Sequence, residues 1–413
     1  MQRPNILVIL VDDIGMGDFG FTGAKDIPTP NIDRLAKSGA VCTSGYVTPM
    51  CAPTRAAFLT GRYPQRFGLE DNRPCDGMKN GLPREVTLLP QRLREAGYTT
   101  HLVGKWHLGK GDNSEFAPRN RGFDTFFGYF GAFGQYVNPT YSRDGKESVV
   151  TGYGTDLLTD EACKIIEARH DKPYFLHLAY TAAHLKQEAK PEDLAKFTHL
   201  EPKRQMAAAI IHNLDTNIGK LMTKLDPNTL VFFLSDNGGE PRVLGTLNGP
   251  LRGQKFDVYE GGVRVPFVVR WPGQIKPGTR LDTPVSAIDI QPTVLAAAGI
   301  PQPPDQDGLN LLPALTRKGK LPERPHFWHT TDHATWQQAR RSPNLSAVRL
   351  GDWKLVIKEE GAVTELYNLK QDLSEKQDQA AKEPPRVAEL RQLFDAWNAK
   401  NQPQTFPPKQ VRK

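Results

Sequence analysis

Three apolar runs constrain the fold of this chain more than any other feature. They read Asn-Ile-Leu-Val-Ile-Leu-Val at residues 5–11, Tyr-Phe-Leu-His-Leu-Ala-Tyr at residues 174–180 and Thr-Leu-Val-Phe-Phe-Leu at residues 229–234. None shows the polar alternation of a half-exposed strand, so each predicts a strand buried on both faces, as in a parallel or mixed α/β sheet covered by helices. Ligands in such sheets bind beyond the carboxyl ends of the strands. The first run ends in Asp12-Asp13, the second in Thr181-Ala182-Ala183-His184, and the third in Ser235-Asp236-Asn237-Gly238-Gly239. A shorter strand over 99–103 runs into Gly104-Lys105-Trp106-His107-Leu108-Gly109. Between the strands, apolar spacing predicts helices over 29–39 with a polar cap at Thr29, over 88–96, over 156–168 and over 289–299. A further helix over 206–225 carries Asp215 on its polar side, and residues 41–48 read as a short strand or extended piece.

The 413 residues, 38% of them hydrophobic, suffice for one large domain with a sizeable core and a smaller one after it. From about residue 320 the character changes. Alternating segments around Gly351-Asp352 predict a hairpin, a further strand follows over 365–369, and a helix over 384–400. We place the division as 1–320 and 321–413. The formal net charge of +7 favours anionic partners. No long basic run or zinc-finger string is present, which argues against nucleic acid. No segment reaches the roughly 18 apolar residues of a membrane span, which argues against a membrane. Residues 1–11 look superficially like a leader, but the run is short, ends in two aspartates and reads as a strand. The four cysteines, at 42, 51, 75 and 163, are too few for a disulfide scaffold.

The strand-end residues carry two readings each. Asp12-Asp13 and Asp236-Asn237 are either turn residues or four hard oxygen ligands for Ca²⁺ or Mg²⁺. Lys105 and His107 are either a solvated Lys beside a packed ring or two contacts to one anion, and His184 is either structural or catalytic. Cys51, with Pro53 and Arg55 after it, is either an ordinary buried thiol or a group at a helix N-terminus where negative charge is favoured.

The longer string Cys51-x-Pro53-x-Arg55-x-x-x-Leu59-x-Gly61-Arg62-Tyr63-Pro64 resembles the signature of the type I, formylglycine-dependent sulfatases of the alkaline phosphatase-like superfamily. Pro30-Asn31-Ile32-Asp33-Arg34-Leu35-Ala36, the Gly104–Gly109 string, Arg252-Gly253-Gln254-Lys255 and Glu260-Gly261-Gly262-Val263-Arg264-Val265-Pro266 match the same family in its order. The resemblance is to bacterial arylsulfatases and carbohydrate sulfatases. It implies a large domain with a central mixed sheet flanked by helices, and a small C-terminal subdomain with an antiparallel sheet and a helix. It implies that a formylglycine-generating enzyme converts Cys51 to Cα-formylglycine, and that Asp12, Asp13, Asp236 and Asn237 hold Ca²⁺, or Mg²⁺, together with residue 51. Arg55, Lys105, His107, His184 and Lys255 then surround the sulfate, with His184 as acid to the leaving alcohol; Glu260 and Arg264 read as structural.

The basic balance and the aromatic loops at 129–141 and 329–336 suggest a sulfated sugar or polysaccharide, with Tyr136, His333 and Trp336 as wall candidates. The expected location is periplasmic or secreted, with a leader absent from this chain, or cytoplasmic. The rival readings are a phosphodiesterase or phosphonate monoesterase of the same superfamily, and a sulfated-glycan binding protein in which Cys51 is never converted.

Overall fold

The structure, a computed structural model, describes residues 3–72, 81–111, 114–168, 171–330, 333–334, 341–342, 345–358 and 363–403. Ten strands form one mixed sheet: β1 (Asn5–Val11), β2 (Ala40–Cys42), β3 (Thr99–Lys105), β4 (Thr125–Tyr129), β5 (Thr140–Arg143), β6 (Lys146–Val149), β7 (Tyr174–Ala179), β8 (Thr229–Ser235), β9 (Phe267–Arg270) and β10 (Thr279–Leu281). Their spatial order is β10-β2-β9-β8-β1-β7-β3-β4-β5-β6. The central strands β8, β1, β7, β3 and β4 are parallel, as the unbroken apolar runs require.

Both faces of β1 are dry. Ile6, Val8 and Leu10 enter a core with Phe58, Leu59 and Leu295, from helices α2 (Cys51–Thr60) and α5 (Ile290–Ala297). Leu7, Ile9 and Val11 enter the opposite core with Leu35, Leu158, Leu214 and Ile218, from α1 (Pro30–Lys37), α3 (Gly154–Glu167) and α4 (Pro202–Met222). A strand covered by helices on both sides has no solvent face to mark with polar residues, which is why its sequence does not alternate. No helix among the described residues is long and apolar enough to cross a membrane.

The C-terminal sheet is four-stranded and antiparallel, with β11 (His326–Thr330), β12 (Leu345–Leu350), β13 (Trp353–Lys358) and β14 (Val363–Asn368). Helix α6 (Pro384–Asn398) packs Leu390, Phe394 and Trp397 against Val348, Leu355 and Leu366 on one face. Ala347, Val356 and Tyr367 on the other face pack against Tyr46, Val258 and Val263. The sheet thus supports the segments that lead into residue 51 and out of residue 255. A buried ion cluster ties it down: Lys354 Nζ lies 2.8 Å from Glu260 Oε1 and 3.0 Å from Glu375 Oε1, and Arg264 pairs with Glu260 at 3.2 Å. Glu260 and Arg264 therefore act as scaffold.

Two local expectations need correction. Residues 41–48, expected as a single short strand or extended piece, hold two short strands, the end of β2 and Gly45–Tyr46, the latter paired with Val285–Ser286. Asp215 does not face solvent; it is buried, and its carboxylate accepts bonds from the Asn31 N–H (3.0 Å), the Ile32 N–H (2.8 Å) and the Asn31 side-chain amide (2.9 Å). It caps α1 from another helix, while Thr29, the expected cap, makes no capping bond. The apolar spacing over 206–225 does form helix α4, but a cap supplied across 184 residues of sequence leaves no local trace.

Asp215→Ala removes that cap and leaves buried donors unpaired, so it should lower the unfolding free energy by about 2–3 kcal/mol. Urea unfolding at constant slope measures it, with Asp215→Asn, which keeps one acceptor, losing less. A loss below about 0.5 kcal/mol would contradict the assignment.

Candidate active site

Parallel pairing sets the strand ends level. Leu10 lies opposite both Ala179 of β7 and Leu234 of β8, and Gly104 of β3 lies opposite Ala179. Asp12, Lys105, the 181–184 segment and Asp236 therefore leave the sheet at one edge. The backbone continues the ladder there: the Asp236 N–H donates to Val11 O (2.9 Å), the Asp12 N–H to Ala182 O (2.8 Å), and the Ala183 N–H to Asp12 O. Gly104 makes the close approach possible, since at its φ of +106° a Cβ would stand 1.9 Å from the Ala179 carbonyl oxygen.

Helix α2 brings the residues from the fifth direction. Met50 is extended and Cys51 is the first helical residue, with Gly61 ending the helix in the left-handed conformation. Thr54 Oγ1 accepts from the Thr48 N–H (3.1 Å), which fixes the entering chain. All ten helix residues are buried. One turn after Cys51, the Arg55 guanidinium reaches across the strand ends to Asp236 (2.8 Å) and Asp12 (3.5 Å), and donates to the Lys105 carbonyl (3.0 Å).

Three carboxylates and three cations thus meet out of water. Lys105 Nζ lies 2.5 Å from Asp12 Oδ2, and Lys255 Nζ lies 2.7 Å from Asp13 Oδ2. His184 Nε2 stands 3.6 Å from the same Asp13 oxygen, and its Nδ1 is 3.0 Å from the Leu185 carbonyl, so the Nδ1–H donates and Nε2 faces the pocket. Burial alone would raise the Asp13 carboxyl, yet Lys255 and His184 hold it down at about 2. Burial, and next the Asp12 charge, push Asp236 up. His184 falls to about 3 through burial and the charges of Lys255 and Lys105, so it is neutral at pH 7. Burial and the neighbouring Asp236 push the Cys51 thiol well up, which makes the thiol a poor nucleophile as it stands.

The donor set fits a hard divalent cation. Asp12 Oδ1, Asp13 Oδ1 and Asn237 Oδ1 lie 3.5, 4.0 and 3.3 Å from Cys51 Sγ. One ligand atom each from Asp12, Asp13, Cys51 and His184 falls within 4.8 Å of the others. Buried carboxylate and amide oxygens converging on one point are the ligand chemistry of Ca²⁺ and Mg²⁺.

The structure brings Asp12, Asp13, Cys51, Arg55, Lys105, His184, Asp236, Asn237 and Lys255 together. His107, two residues beyond Lys105, is buried in a left-handed conformation (φ 54°), its backbone N–H donating to Phe130 O (3.0 Å). Tyr136 departs from the expectation of a pocket wall. It is 1% exposed and its hydroxyl donates to the His184 carbonyl (2.9 Å), so it braces the His184 segment and offers no surface to a ligand. An aromatic, glycine-rich stretch looks the same in sequence whether its rings face a pocket or a carbonyl. His333 belongs to a two-residue strand, His333–Ala334, paired with Arg341–Ser342. Trp336 lies outside the described residues.

Two residues escaped the sequence reading. Asn248 is buried, accepts from the Gly239 N–H (2.7 Å) and donates to the Gly239 and Gly253 carbonyls (3.0 and 3.1 Å), which locks the loop carrying Lys255 to the end of β8. Glu240 is buried next to that loop. Burial pushes it up to about 7 although Lys255 pulls it down, and Asp13 adds to the rise. Its place directly after Asp236-Asn237-Gly238-Gly239 was the available signal; Asn248 had none.

A strand-edge pocket with buried cations around a residue at a helix N-terminus is built for the ester of a tetrahedral oxyanion. The comparisons identify which one. The sulfatase profile matches residues 4–300, and that of the C-terminal part of N-sulphoglucosamine sulphohydrolase matches residues 254–396. N-acetylgalactosamine-6-sulfatase of Mus musculus is 36% identical over 393 residues, which are 86% of this chain and 72% of that protein. Arylsulfatase J of Mus musculus is 30% identical over 473 residues, covering 100% of this chain and 78% of that protein. The crystal structure of Ps i-CgsB in complex with k-i-k-neocarrahexaose superposes with a TM-score of 0.90 at 34% identity, covering 99% of this chain and 96% of that one. The chain belongs to the sulfatase family and is a sulfuric ester hydrolase.

Beneath Arg55, the His177 ring of β7 packs edge-on to Phe58 at 4.8 Å. Burial and the Arg55 charge push it down to about 3. Folded His177 therefore stays neutral where the unfolded chain binds a proton, so its contribution to stability is complete above pH 6.5 and is lost as pH falls toward 3. Replacing His177 with Leu should make the acid-side fall in unfolding free energy shallower by up to about one proton, or about 1.4 kcal/mol per pH unit. Denaturant unfolding from pH 7 to pH 4 measures the two slopes, and parallel slopes would contradict the assignment.

Proposed function

We propose that this chain hydrolyses the sulfate ester of a sulfated sugar, with residue 51 acting as Cα-formylglycine beside a bound Ca²⁺. The observation that carries the reading is the convergence of Asp12, Asp13 and Asn237 oxygens on the Cys51 side chain, within reach of three buried cations. Asp12, Asp13, Asp236, Asn237 and residue 51 would hold the cation. When present, the hydrated aldehyde supplies a hydroxyl nucleophile and the cation lowers the energy of its negatively charged form. Conversion requires a formylglycine-generating enzyme during maturation.

The chain's own side chains do the rest. Lys105 and Lys255 reach the pocket from opposite aspartates and are placed to hold the sulfate oxygens, while Arg55 fixes Asp12 and Asp236. His184 presents Nε2 to the pocket, oriented by its Nδ1–H bond to Leu185. Burial first, and then the charges of Lys255 and Lys105, keep His184 neutral; an anionic ester beside the two lysines would offset the charge part, raising the ring's proton affinity so that it can protonate the leaving oxygen. His107, buried two residues beyond Lys105, would take a proton from residue 51 as sulfate departs. The named substrates of the related N-acetylgalactosamine-6-sulfatase and the neocarrahexaose bound to Ps i-CgsB support a sugar as the alcohol part.

Protein matured with formylglycine-generating activity should release sulfate from a sulfated hexosamine or a carrageenan oligosaccharide. An absence of release from every sulfated sugar, with aryl phosphate diesters cleaved instead, would overturn the reading in favour of a phosphodiesterase. His184→Gln should cost about 10²–10⁴-fold in kcat on a sulfated sugar, whose alcohol leaves poorly, and far less on 4-nitrophenyl sulfate. Equal losses on both substrates would remove His184 from the acid role. EDTA should abolish activity and lower the melting temperature, and Ca²⁺ should restore both, since a cation at 100 times its Kd stabilises the fold by about 2.7 kcal/mol. An unchanged melting temperature would contradict the cation site.

A further inference from the structure

Phe133 is 63% exposed, and among the described residues it is the only Phe, Tyr or Trp presented to solvent in this way. Its ring centroid lies 5.2 Å from that of His184, inclined at 57°. Leaving a phenyl ring in water forgoes its burial energy, and an isolated case on a surface needs no explanation. This one does, because the loop that carries it is fastened to the site on both sides. Before it, the Phe130 carbonyl accepts from the His107 N–H (3.0 Å). After it, Gly134 lies so close to Tyr129 and Thr181 that a Cβ would stand 2.6 Å from the Tyr129 ring and 2.8 Å from Thr181 Oγ1. Tyr136 then closes the loop by donating to the Thr181 and His184 carbonyls (3.2 and 2.9 Å). The chain spends buried hydrogen bonds and a glycine to hold an apolar ring in water beside the residue that faces the leaving group.

We propose that Phe133 is the platform on which the sugar ring of the substrate rests, its face stacked against the apolar C–H face of the pyranose on the far side of the scissile oxygen from the sulfate. The inference rests on the sulfatase reading of His184, because the group that protonates the leaving oxygen marks where the sugar begins. It makes Phe133 a specificity residue: it touches the sugar and leaves the sulfate contacts to Lys105 and Lys255. Tyr136, buried behind it, positions both Phe133 and His184 through the same segment.

The test uses unconverted protein, with Cys51 intact and Ca²⁺ present, so that binding is read without turnover. Wild type, Phe133→Ala and Phe133→Tyr are titrated calorimetrically with a neocarrahexaose, with 6-sulfated N-acetylgalactosamine and with inorganic sulfate. The expected result is that Phe133→Ala weakens the better-bound sugar about tenfold, that Phe133→Tyr recovers most of the loss, and that the Kd for inorganic sulfate and the melting temperature stay unchanged. Sugar binding within twofold of wild type in Phe133→Ala would overturn the proposal, as would equal weakening of inorganic sulfate or failure of wild type to bind either sugar. The two readings separate cleanly: converted wild type that binds sugar through Phe133 but releases no sulfate would sink the hydrolase and leave the platform standing.

Discussion

Everything in this structure depends on keeping three carboxylates and three cations paired out of water at one edge of a sheet. Asp12, Asp13, Asp236, Arg55 and Lys105 are fully buried, and Lys255 nearly so. Buried ion pairs rarely stabilise a fold relative to apolar residues of the same size, because desolvation offsets the attraction. Their concentration here is therefore a functional expense, met by two large apolar cores on either face of β1. The same pairing keeps the site ready: no side chain must be desolvated when an anion arrives, because the cations that will face it are already dry.

Position follows from topology. Parallel strands end together, which brings residues 12, 105 and 236, far apart in sequence, to one level, while His184, five residues beyond β7, is braced there by Tyr136. Residue 51 and Lys255 lie off those strands, and they need support. Helix α2 is wholly buried, and the C-terminal sheet packs against Tyr46, Val258 and Val263 just outside the two segments. The Lys354–Glu260–Glu375 cluster and the Trp328 indole, which donates to the Val47 carbonyl (2.8 Å), make that support specific. The small sheet is thus part of the machinery that holds the pocket in register.

What the sequence made legible divides along the same line. The mixed sheet, the level strand ends and the buried polar tips that converge on Cys51 were all readable, because an unbroken apolar run followed by Asp or His states both burial and position locally. Residues whose role depends on a partner from elsewhere were not readable. Asp215 looked like a polar helix face and caps another helix; Tyr136 looked like a pocket wall and donates to a backbone carbonyl; Asn248 looked like nothing and locks the loop that carries Lys255. Each is a buried polar group satisfied at long range, and period-based reasoning records only that such a residue is polar. Phe133 is the converse case. Its exposure, the fact that matters, is invisible in a stretch where Phe126, Phe127, Tyr129 and Phe130 are all buried.

The account stands or falls on the state of residue 51, because a buried thiol facing carboxylates is chemically idle while a hydrated aldehyde in the same place is a nucleophile. The direct measurement is the mass of the tryptic peptide spanning residues 38–55, from protein matured with formylglycine-generating activity and then treated with a thiol alkylating agent. Cys42 in the same peptide is an internal control. The expected spectrum shows Cys42 alkylated and residue 51 as an aldehyde, its sulfur replaced by one oxygen and two hydrogens lost. A peptide alkylated at both positions, from protein that nonetheless releases sulfate, would contradict the central claim.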